Sequence, residues 1–385
     1  MDSSFRDCVG TECQSLSESL MSAPGGKEES VVENTPVGRG VEQSVVAVDL
    51  AKNIFEIAVS EVPGRISRRH RLKRADLSAF LAQLPTSTVL LEACGSAHFW
   101  ARQAALFGHR VELLPPHHTK RYRQGSKTDR SDAKAMLEAF RNEDLFPVPV
   151  KSVEQQTLAW LHRLRQGAMT TRTARLNTLR AIVRELGETI PIGATHVIPR
   201  AWALLEDADS VLPSVLRPHL AALCTEIREL EHRIEQLARD LDRLGGGIEA
   251  VRHLRSVPGI GPLTATALVA FVGSIHRFAS GRRFASYLGL VPKERSSGET
   301  RRLGRISKRG DTYLRTLLIH GARSVLLSAK RKAEPDDLAR WALGVELERG
   351  HNKAAVALAN KLARIAWSVW RDARDYQSRF LRKAA

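Results

Sequence analysis

Short apolar runs between residues 45 and 114 predict buried strands. The runs lie at 45–50, 54–59, 88–93 and 111–114. Helical patterns between and after them predict helices at 74–83, 99–107 and 133–140. The predicted order is strand, strand, helix, strand, helix, strand and a closing helix. This alternation is typical of an α/β domain whose helices cover a sheet.

From residue 152 onward the hydrophobic pattern becomes helical. Ser152 and Gln155 have the spacing of a capping box, which predicts a helix from 152 to about 186. Steps of three and four then form a heptad seam of Leu220, Leu223, Ile227, Leu230, Ile234, Leu237, Leu241 and Leu244. Two partners fit this seam. One is a second copy of the chain in a parallel coiled coil, and the other is the 152–186 helix in an intramolecular hairpin.

Composition and charge narrow the class of partner. The chain has 385 residues, of which 43% are hydrophobic, a formal net charge of +17 and a pI of about 10.2. Such a basic excess indicates a polyanionic partner, and no apolar run approaches the roughly 20 residues of a membrane helix. Nucleic acid is therefore the favoured partner, and no membrane is expected. The four cysteines have no metal-ligand spacing and no disulfide pattern, which indicates a reducing cytoplasm.

The first 43 residues differ from the remainder. They carry eight acidic and three basic residues, a net charge of −5, which leaves +22 on the remainder. They are rich in Ser, Glu and Gly, and no apolar segment follows a basic start as in a secretory signal. This composition predicts a disordered acidic tail.

Four carboxylates stand at positions that favour metal binding. Asp49 and Glu92 each end a predicted strand, and an acid in an apolar strand is costly to bury without a counter-charge. Asp129 and Asp132 lie one turn apart at the start of the 133–140 helix. If the four converge at one end of the sheet, their hard oxygen ligands suit Mg²⁺ or Mn²⁺. The sequence therefore favours a two-metal phosphodiester site.

Two further motifs in the last third of the chain favour phosphate binding. A Gly-Ile-Gly turn with Gly259 and Gly261 enters an apolar helix at 263–272 and resembles a helix-hairpin-helix element. Downstream, Ser296-Ser297-Gly298 precedes a group of cations, Arg301, Arg302, Arg305, Lys308 and Arg309. A serine hydroxyl among guanidinium groups can be a phosphate ligand or a nucleophile.

These motifs occur together in one known family. The order V-A-V-D-L-A-K, L-L-E-A-x-G and K-T-D-x-x-D-A resembles the N-terminal domain of IS110/IS1111 family transposases, and G-L-x-P-x-x-x-x-S-G followed by S-K-x-G-x-x-x-L-R resembles their C-terminal domain. The resemblance implies a RuvC-like, RNase H-type fold with a metal tetrad of Asp49, Glu92, Asp129 and Asp132. It also implies a serine nucleophile at Ser297, with Ser296 as the neighbouring alternative.

The resemblance carries an expected function and organisation. It implies excision and insertion of the protein's own insertion sequence by strand cleavage and exchange, guided by a structured RNA. The expected partners are the DNA of the element ends and target, and further copies of the chain in a dimer or tetramer. The expected location is the bacterial cytoplasm, associated with the nucleoid. The expected regions are the acidic tail at 1–43, the RuvC-like domain at 44–150, a helical coiled-coil arm at 151–250 and the C-terminal transposase domain at 251–385.

Three alternative functions can be distinguished from this one by a variant or by a motif. A junction nuclease or DNA invertase that uses the metal site alone would keep its cleavage after Ser297→Ala. An actin- or sugar-kinase-like ATPase needs glycine-rich phosphate loops, and residues 45–61 contain no glycine. A DNA-binding protein without catalysis would tolerate alanine at all four acids.

Overall fold

The structure, a computed structural model, describes residues 44–63, 65–123, 129–143 and 145–378. Of residues 129 and 130 it describes the backbone alone. The predicted acidic tail at 1–43 lies outside the described residues, as do the first residues of the K-T-D-x-x-D motif.

A five-stranded mixed sheet forms the first part of the fold. Its strands are β1 (Val45–Asp49), β2 (Ile54–Ser60), β3 (Arg68–Lys73), β4 (Thr88–Glu92) and β5 (Arg110–Leu114). Their order across the sheet is β3-β2-β1-β4-β5. Strands β1, β4 and β5 pair in parallel, whereas β2 is antiparallel to both β1 and β3. The carboxyl ends of β1, β4 and β5 therefore lie along one edge of the sheet.

Strand β3 corrects the predicted order, which lacked it. Its sequence, Arg-Arg-His-Arg-Leu-Lys, has neither an apolar run nor a clear alternation, so the hydrophobic pattern could not reveal it. The strand pairs with β2 from Arg68 opposite Val59 to Lys73 opposite Ile54. It lies at the edge of the sheet, where positive side chains discourage pairing with another chain.

Helices cover both faces of the sheet. On one face, α1 (Leu77–Gln83) and α2 (Ala97–Leu106) pack against the side chains of Val46 and Val48. On the other, α4 (Asp129–Phe140) packs against Ala47 and its neighbours, because successive residues of a strand point to opposite faces. A short helix, α3 (Pro116–Thr119), and a 3₁₀ turn (Lys120–Tyr122) connect β5 to the segment before α4.

A long helical hairpin follows the sheet. The helix α5 (Val153–Glu185) begins with the predicted capping box, in which the Gln155 N–H donates to Ser152 Oγ at 3.2 Å and the Ser152 N–H donates to Gln155 Oε1 at 3.1 Å. The helix α7 (Arg217–Gly246) packs antiparallel to it, and ion pairs join Arg172 to Glu231 and Arg175 to Glu226. The helix α6 (Val197–Glu206) closes the apolar cluster between them.

The heptad seam is used within the chain, as the hairpin alternative predicted. Leu220, Ile227, Leu237 and Leu241 are buried in the single chain. The remaining members are half-buried, except that 38% of Leu244 is exposed. Part of the seam therefore stays accessible on the surface of α7.

The last third of the chain is helical apart from one β-ribbon. Its helices are α8 (Glu249–Arg255), α9 (Pro262–Val272), α10 (Gly281–Tyr287), α11 (Thr312–Ala329), α12 (Asp337–Arg349) and α13 (His351–Arg371). The ribbon consists of β6 (Pro292–Glu294) and β7 (Leu303–Ile306) between α10 and α11. The α/β sheet followed by a helical region confirms the coarse architecture predicted from the sequence. None of the described helices is both long and apolar enough to cross a membrane.

Candidate active site

Two predicted carboxylates end neighbouring strands. Strands β1 and β4 pair in parallel with Val48 opposite Leu91, so Asp49 and Glu92 follow at adjacent positions on the same edge. The pKa of the Cys94 thiol is raised first by desolvation and then by the charges of Glu92 and Asp49. Both carboxylates therefore lie close enough to the Cys94 sulfur atom for their charges to raise its pKa. The structure brings these two predicted site residues together.

The third predicted carboxylate, Asp132, lies on α4. This helix contacts β1, β2 and β4 and buries Ala133 and Met136 against the sheet. Asp132 lies beside this buried face, with 17% of its side chain exposed. Its Oδ1 accepts a hydrogen bond from Arg123 Nη1 at 3.0 Å. Asp129 is the first residue of the same helix, but its side chain lies outside the described part of the chain.

Arg123 is a residue whose partner the sequence did not reveal. It follows the 3₁₀ turn after β5, nine residues before Asp132, and only 19% of its side chain is exposed. The ion pair with Arg123 holds one oxygen of this carboxylate in a charge-assisted hydrogen bond. The motif K-T-D-x-x-D contains no signal for this contact, because Arg123 precedes the first residue of the motif, Lys127.

The donor set suits a hard divalent cation, since all its members are carboxylates. Within the described ranges, however, no group of three or more His, Cys, Asp or Glu side chains is arranged to hold a metal ion. The described part of the site is therefore one adjacent pair, Asp49 and Glu92, together with Asp132 in an ion pair on the covering helix.

Ser297 lies at the tip of the β6–β7 ribbon. The N–H groups of Ser297 and Thr300 donate to each other's carbonyl oxygens at 3.3 and 3.2 Å, around a turn in which Gly298 has φ of +56°. The Ser296 hydroxyl donates to Glu294 Oε1 at 2.8 Å and accepts from the Arg302 N–H at 3.3 Å. The Ser297 hydroxyl, by contrast, makes no hydrogen bond within the described ranges, including to Asp49, Glu92 or Asp132. The two serines thus differ, because only Ser296 stabilises the ribbon through its side chain.

The predicted basic residues line this ribbon and its exit, and all are exposed: Arg301, Arg302, Arg305, Lys308 and Arg309. Arg301 Nε lies 3.4 Å from Glu294 Oε1. The other four have no ion pair with a described carboxylate. Cations without counter-charges on one surface create a positive potential that attracts polyanions.

A buried arginine supports the base of the ribbon. Arg315, with 7% exposure, donates to the carbonyl oxygens of Leu288 at 3.3 Å and Gly310 at 3.1 Å, and to Thr312 Oγ1 at 3.1 Å. It thereby joins α11 to the segments on either side of the ribbon. It is the final residue of the S-K-x-G-x-x-x-L-R motif, and that position was the only available sign of its importance.

The two glycines of the predicted phosphate turn have different surroundings. Gly259 has φ of +84°, and a Cβ there would lie 2.8 Å from the carbonyl oxygen of Gly321 on α11. Gly261 is exposed immediately before α9, and no atom lies within 4 Å of the position its Cβ would take. Gly259 therefore allows close backbone packing, whereas Gly261 leaves the start of α9 accessible.

Comparison with known proteins identifies the family. Residues 46–187 match the DEDD transposase model of the IS110 group, described as "Transposase", and residues 251–336 match the model described as "Transposase IS116/IS110/IS902 family". A protein of Pseudomonas aeruginosa with the name "Probable family 20 transposase" is 42% identical over 330 residues, which cover 85% of this chain and 96% of that protein. The transposase for insertion sequence element IS1111A of Coxiella burnetii is 36% identical over 84% of this chain and 89% of its own length.

A third relative shows the same extent of similarity. The transposase for insertion sequence element IS1328 of Yersinia enterocolitica is 35% identical over 85% of this chain and 96% of that protein. The mixed sheet with helices on both faces is consistent with the RuvC-like fold that the resemblance implied. The chain therefore belongs to the IS110/IS1111 family of DNA transposases.

Proposed function

We propose that this transposase excises and inserts its own insertion sequence by metal-dependent strand cleavage, with a serine as the nucleophile. The proposed ligands of Mg²⁺ or Mn²⁺ are Asp49, Glu92, Asp129 and Asp132, and the proposed nucleophile is Ser297. The observation that carries the proposal is the juxtaposition of Asp49 and Glu92 at the carboxyl edge of β1 and β4. The sequence position of either residue does not by itself make the two residues neighbours.

Secondary structure and one ion pair hold the described carboxylates of this site in position. Asp49 and Glu92 are held by paired strands, and Asp132 is held by a helix packed on those strands and by Arg123. A bound divalent cation would add positive charge beside the oxygens of the phosphate to be cleaved. The Arg123 guanidinium orients Asp132 through its hydrogen bond to Oδ1, an oxygen that a metal ion would also need.

The Ser297 hydroxyl is accessible to a DNA strand, as a nucleophile must be. It is exposed, has no hydrogen bond within the described ranges, and projects from a turn beside several cations. Attack on a DNA phosphorus forms a serine phosphodiester and breaks the bond from phosphorus to one deoxyribose oxygen, which receives the serine proton. Nearby guanidinium groups stabilise the negative charge of that transition state.

The partners and domain divisions belong to the same proposal. The excess of +22 outside the first 43 residues and the absence of a zinc-finger motif in the sequence support a structured guide RNA that selects the target. The accessible seam residues Leu223, Leu230, Ile234 and Leu244 support a coiled-coil contact between copies in a dimer or tetramer. We retain the region limits 44–150, 151–250 and 251–385, and a nucleoid-associated location in the bacterial cytoplasm.

Recombination in cells that carry the element and its flanking DNA tests the proposal. Wild type is compared with Asp49→Asn, Glu92→Gln, Ser297→Ala and Ser296→Ala, all nearly isosteric. The first three are expected to abolish recombination, and Ser297→Ala also to abolish any covalent protein–DNA species. Ser296→Ala is expected to retain that species at reduced yield, because it loosens the ribbon without removing the nucleophile. Full recombination by Asp49→Asn would refute the metal site.

One observation favours a second function, that of a junction nuclease or invertase using the metal site alone. Ser297 has no hydrogen bond to Asp49, Glu92 or Asp132 in the described chain. That function predicts that Ser297→Ala cleaves branched DNA at the wild-type rate while Asp49→Asn does not.

A further inference from the structure

A cleft with no assigned role lies between α4 and the 3₁₀ turn after α3. Its volume is about 470 Å³. The residues that line it are Arg121, Tyr122, Ser131, Lys134, Ala135 and Glu138. The volume falls within the roughly 300–1,000 Å³ of typical small-ligand sites, so it has room for a phosphate and an attached sugar.

The charges that border the cleft are predominantly positive. Arg121 and Lys134 are exposed and have no ion pair with any described carboxylate. Glu138 is the single acid of the lining, and its Oε2 accepts from Arg141 Nη1 at 3.2 Å. The negative charge of Glu138 is therefore balanced from outside the lining, while the two cations that border the cleft have no described counter-charge.

The walls of the cleft are held by contacts of their own. The Asn142 side-chain amide donates to the Tyr122 hydroxyl at 2.6 Å, which ties the 3₁₀ turn to the end of α4. Ala135, which also lines the cleft, is 2% exposed. A hydrogen bond therefore joins the two elements that border the cleft.

The cleft adjoins the candidate active site on both of its walls. Ser131 in the lining immediately precedes Asp132 on α4, and Tyr122 immediately precedes Arg123, the ion-pair partner of Asp132. The two elements that border the cleft are therefore the same two that the Arg123–Asp132 ion pair joins.

We propose that this cleft binds a backbone phosphate of the DNA strand on which the candidate active site acts, through Arg121 and Lys134. Phosphate contacts of this kind fix the register of a strand without reading its sequence. The assignment to DNA rather than RNA rests on the proposed function, because α4 carries the carboxylates proposed to act on DNA.

Equilibrium binding to labelled DNA tests the inference. Full-length wild type, Arg121→Ala and Lys134→Ala are titrated with duplex and four-way-junction DNA across a salt series in EDTA, so that no cleavage occurs. Loss of one phosphate contact is expected to weaken binding about eightfold at about 0.1 M salt and to lower the salt slope by about 0.9. An RNA hairpin of matched length is titrated in parallel and is expected to be affected less than DNA.

The control is a cation with a similar exposed side chain at the other edge of the sheet. Arg65 is exposed in the loop between β2 and β3, beside the start of β1, since Val45 pairs with Ser60. Arg65→Ala removes the same charge and is expected to change binding less than twofold. Thermal unfolding checks the fold, and Arg121→Gln and Lys134→Gln replace any alanine variant that fails to fold.

Three results would overturn the inference. They are equal weakening by Arg65→Ala, unchanged DNA binding by both cleft variants, or a loss confined to the RNA hairpin. Failure of the proposed function is separable from these results. If Asp49→Asn recombines normally while the cleft variants bind DNA poorly, the metal site is wrong and the phosphate site stands. If Asp49→Asn abolishes recombination while the cleft variants bind DNA normally, the phosphate site is wrong and the metal site stands.

Discussion

Replacing a buried histidine should change how the stability of this protein depends on pH. His162 on α5 has no exposed surface. Its Nε2 lies 3.0 Å from Thr266 Oγ1 on α9, and its Nδ1 lies 3.0 Å from the Tyr313 hydroxyl on α11. The side chain therefore joins the helical hairpin to two helices of the C-terminal region.

The hydrogen-bond network assigns the protonation state of this ring. The Thr266 hydroxyl donates to the carbonyl oxygen of Pro262 at 2.7 Å, so it accepts from His162 Nε2–H. Nδ1 then accepts from the Tyr313 hydroxyl. A second ring proton would face a donor in a fully buried site, which is why a neutral ring is preferred here.

The size of the pH effect on stability follows from the pKa of His162. Burial, and then the charge of Arg165, lower the pKa of His162 from 6.5 to about 4. Between these two values the unfolded chain binds a proton that the folded chain does not, so stability falls as the pH falls through this range. At 1.36 kcal/mol per pKa unit, the full effect is about 3 kcal/mol, and about 2.5 kcal/mol of it develops between about pH 7 and 4.5.

Urea unfolding at these two pH values measures the effect. His162→Gln keeps a donor toward Thr266 but does not titrate, so it should lose about 2.5 kcal/mol less than wild type over the interval. His98, whose pKa is also lowered to about 4, titrates in both proteins and cancels in the difference. The exposed His219→Gln serves as the matched control and should behave as wild type. Equal pH dependence of wild type and His162→Gln would refute the reasoning.

Two further predictions concern the site and the packing beneath it. Arg123→Gln removes the cation that competes with a metal ion for Asp132, so calorimetry of the metal-free protein should show Mn²⁺ binding about fivefold tighter, from an ion pair worth about 1 kcal/mol; weaker or unchanged binding would mean that Arg123 does not compete for this carboxylate. Gly321→Ala places a Cβ 2.0 Å from the carbonyl oxygen of Gly259 and should destabilise the protein by about 1–3 kcal/mol in urea unfolding. Gly344→Ala on α12, with no atom within 4 Å, is its control and should stabilise by up to about 1 kcal/mol; equal effects of the two would contradict the packing argument.

Local patterns in the sequence were sufficient for the elements that bury apolar faces. The strands β1, β2, β4 and β5 and the capped helix α5 lie within a few residues of the predicted bounds, because hydrophobic periodicity and capping are short-range signals. The strand β3 has no such signal. It exists because β2 offers an unpaired edge to its backbone, and backbone pairing does not depend on apolar side chains.

The heptad seam shows where periodicity stops being informative. It predicts that α7 buries a stripe but not which helix covers it, because a copy of the chain and α5 present similar apolar surfaces. The structure selects α5 within the chain through contacts that depend on both helices, including the ion pairs of Arg172 and Arg175.

The sequence by itself was sufficient to predict four carboxylates, a serine and a basic segment as site residues, since these motifs belong to one family and are carried by short stretches. Only the tertiary structure decided which of them meet. Parallel pairing of β1 and β4 brings Asp49 beside Glu92, the path after β5 gives Asp132 its arginine, and the ribbon leaves Ser297 exposed while its neighbour is bonded. The physical reason is that such contacts join residues far apart in the chain, and their distances depend on how the sheet and helices pack.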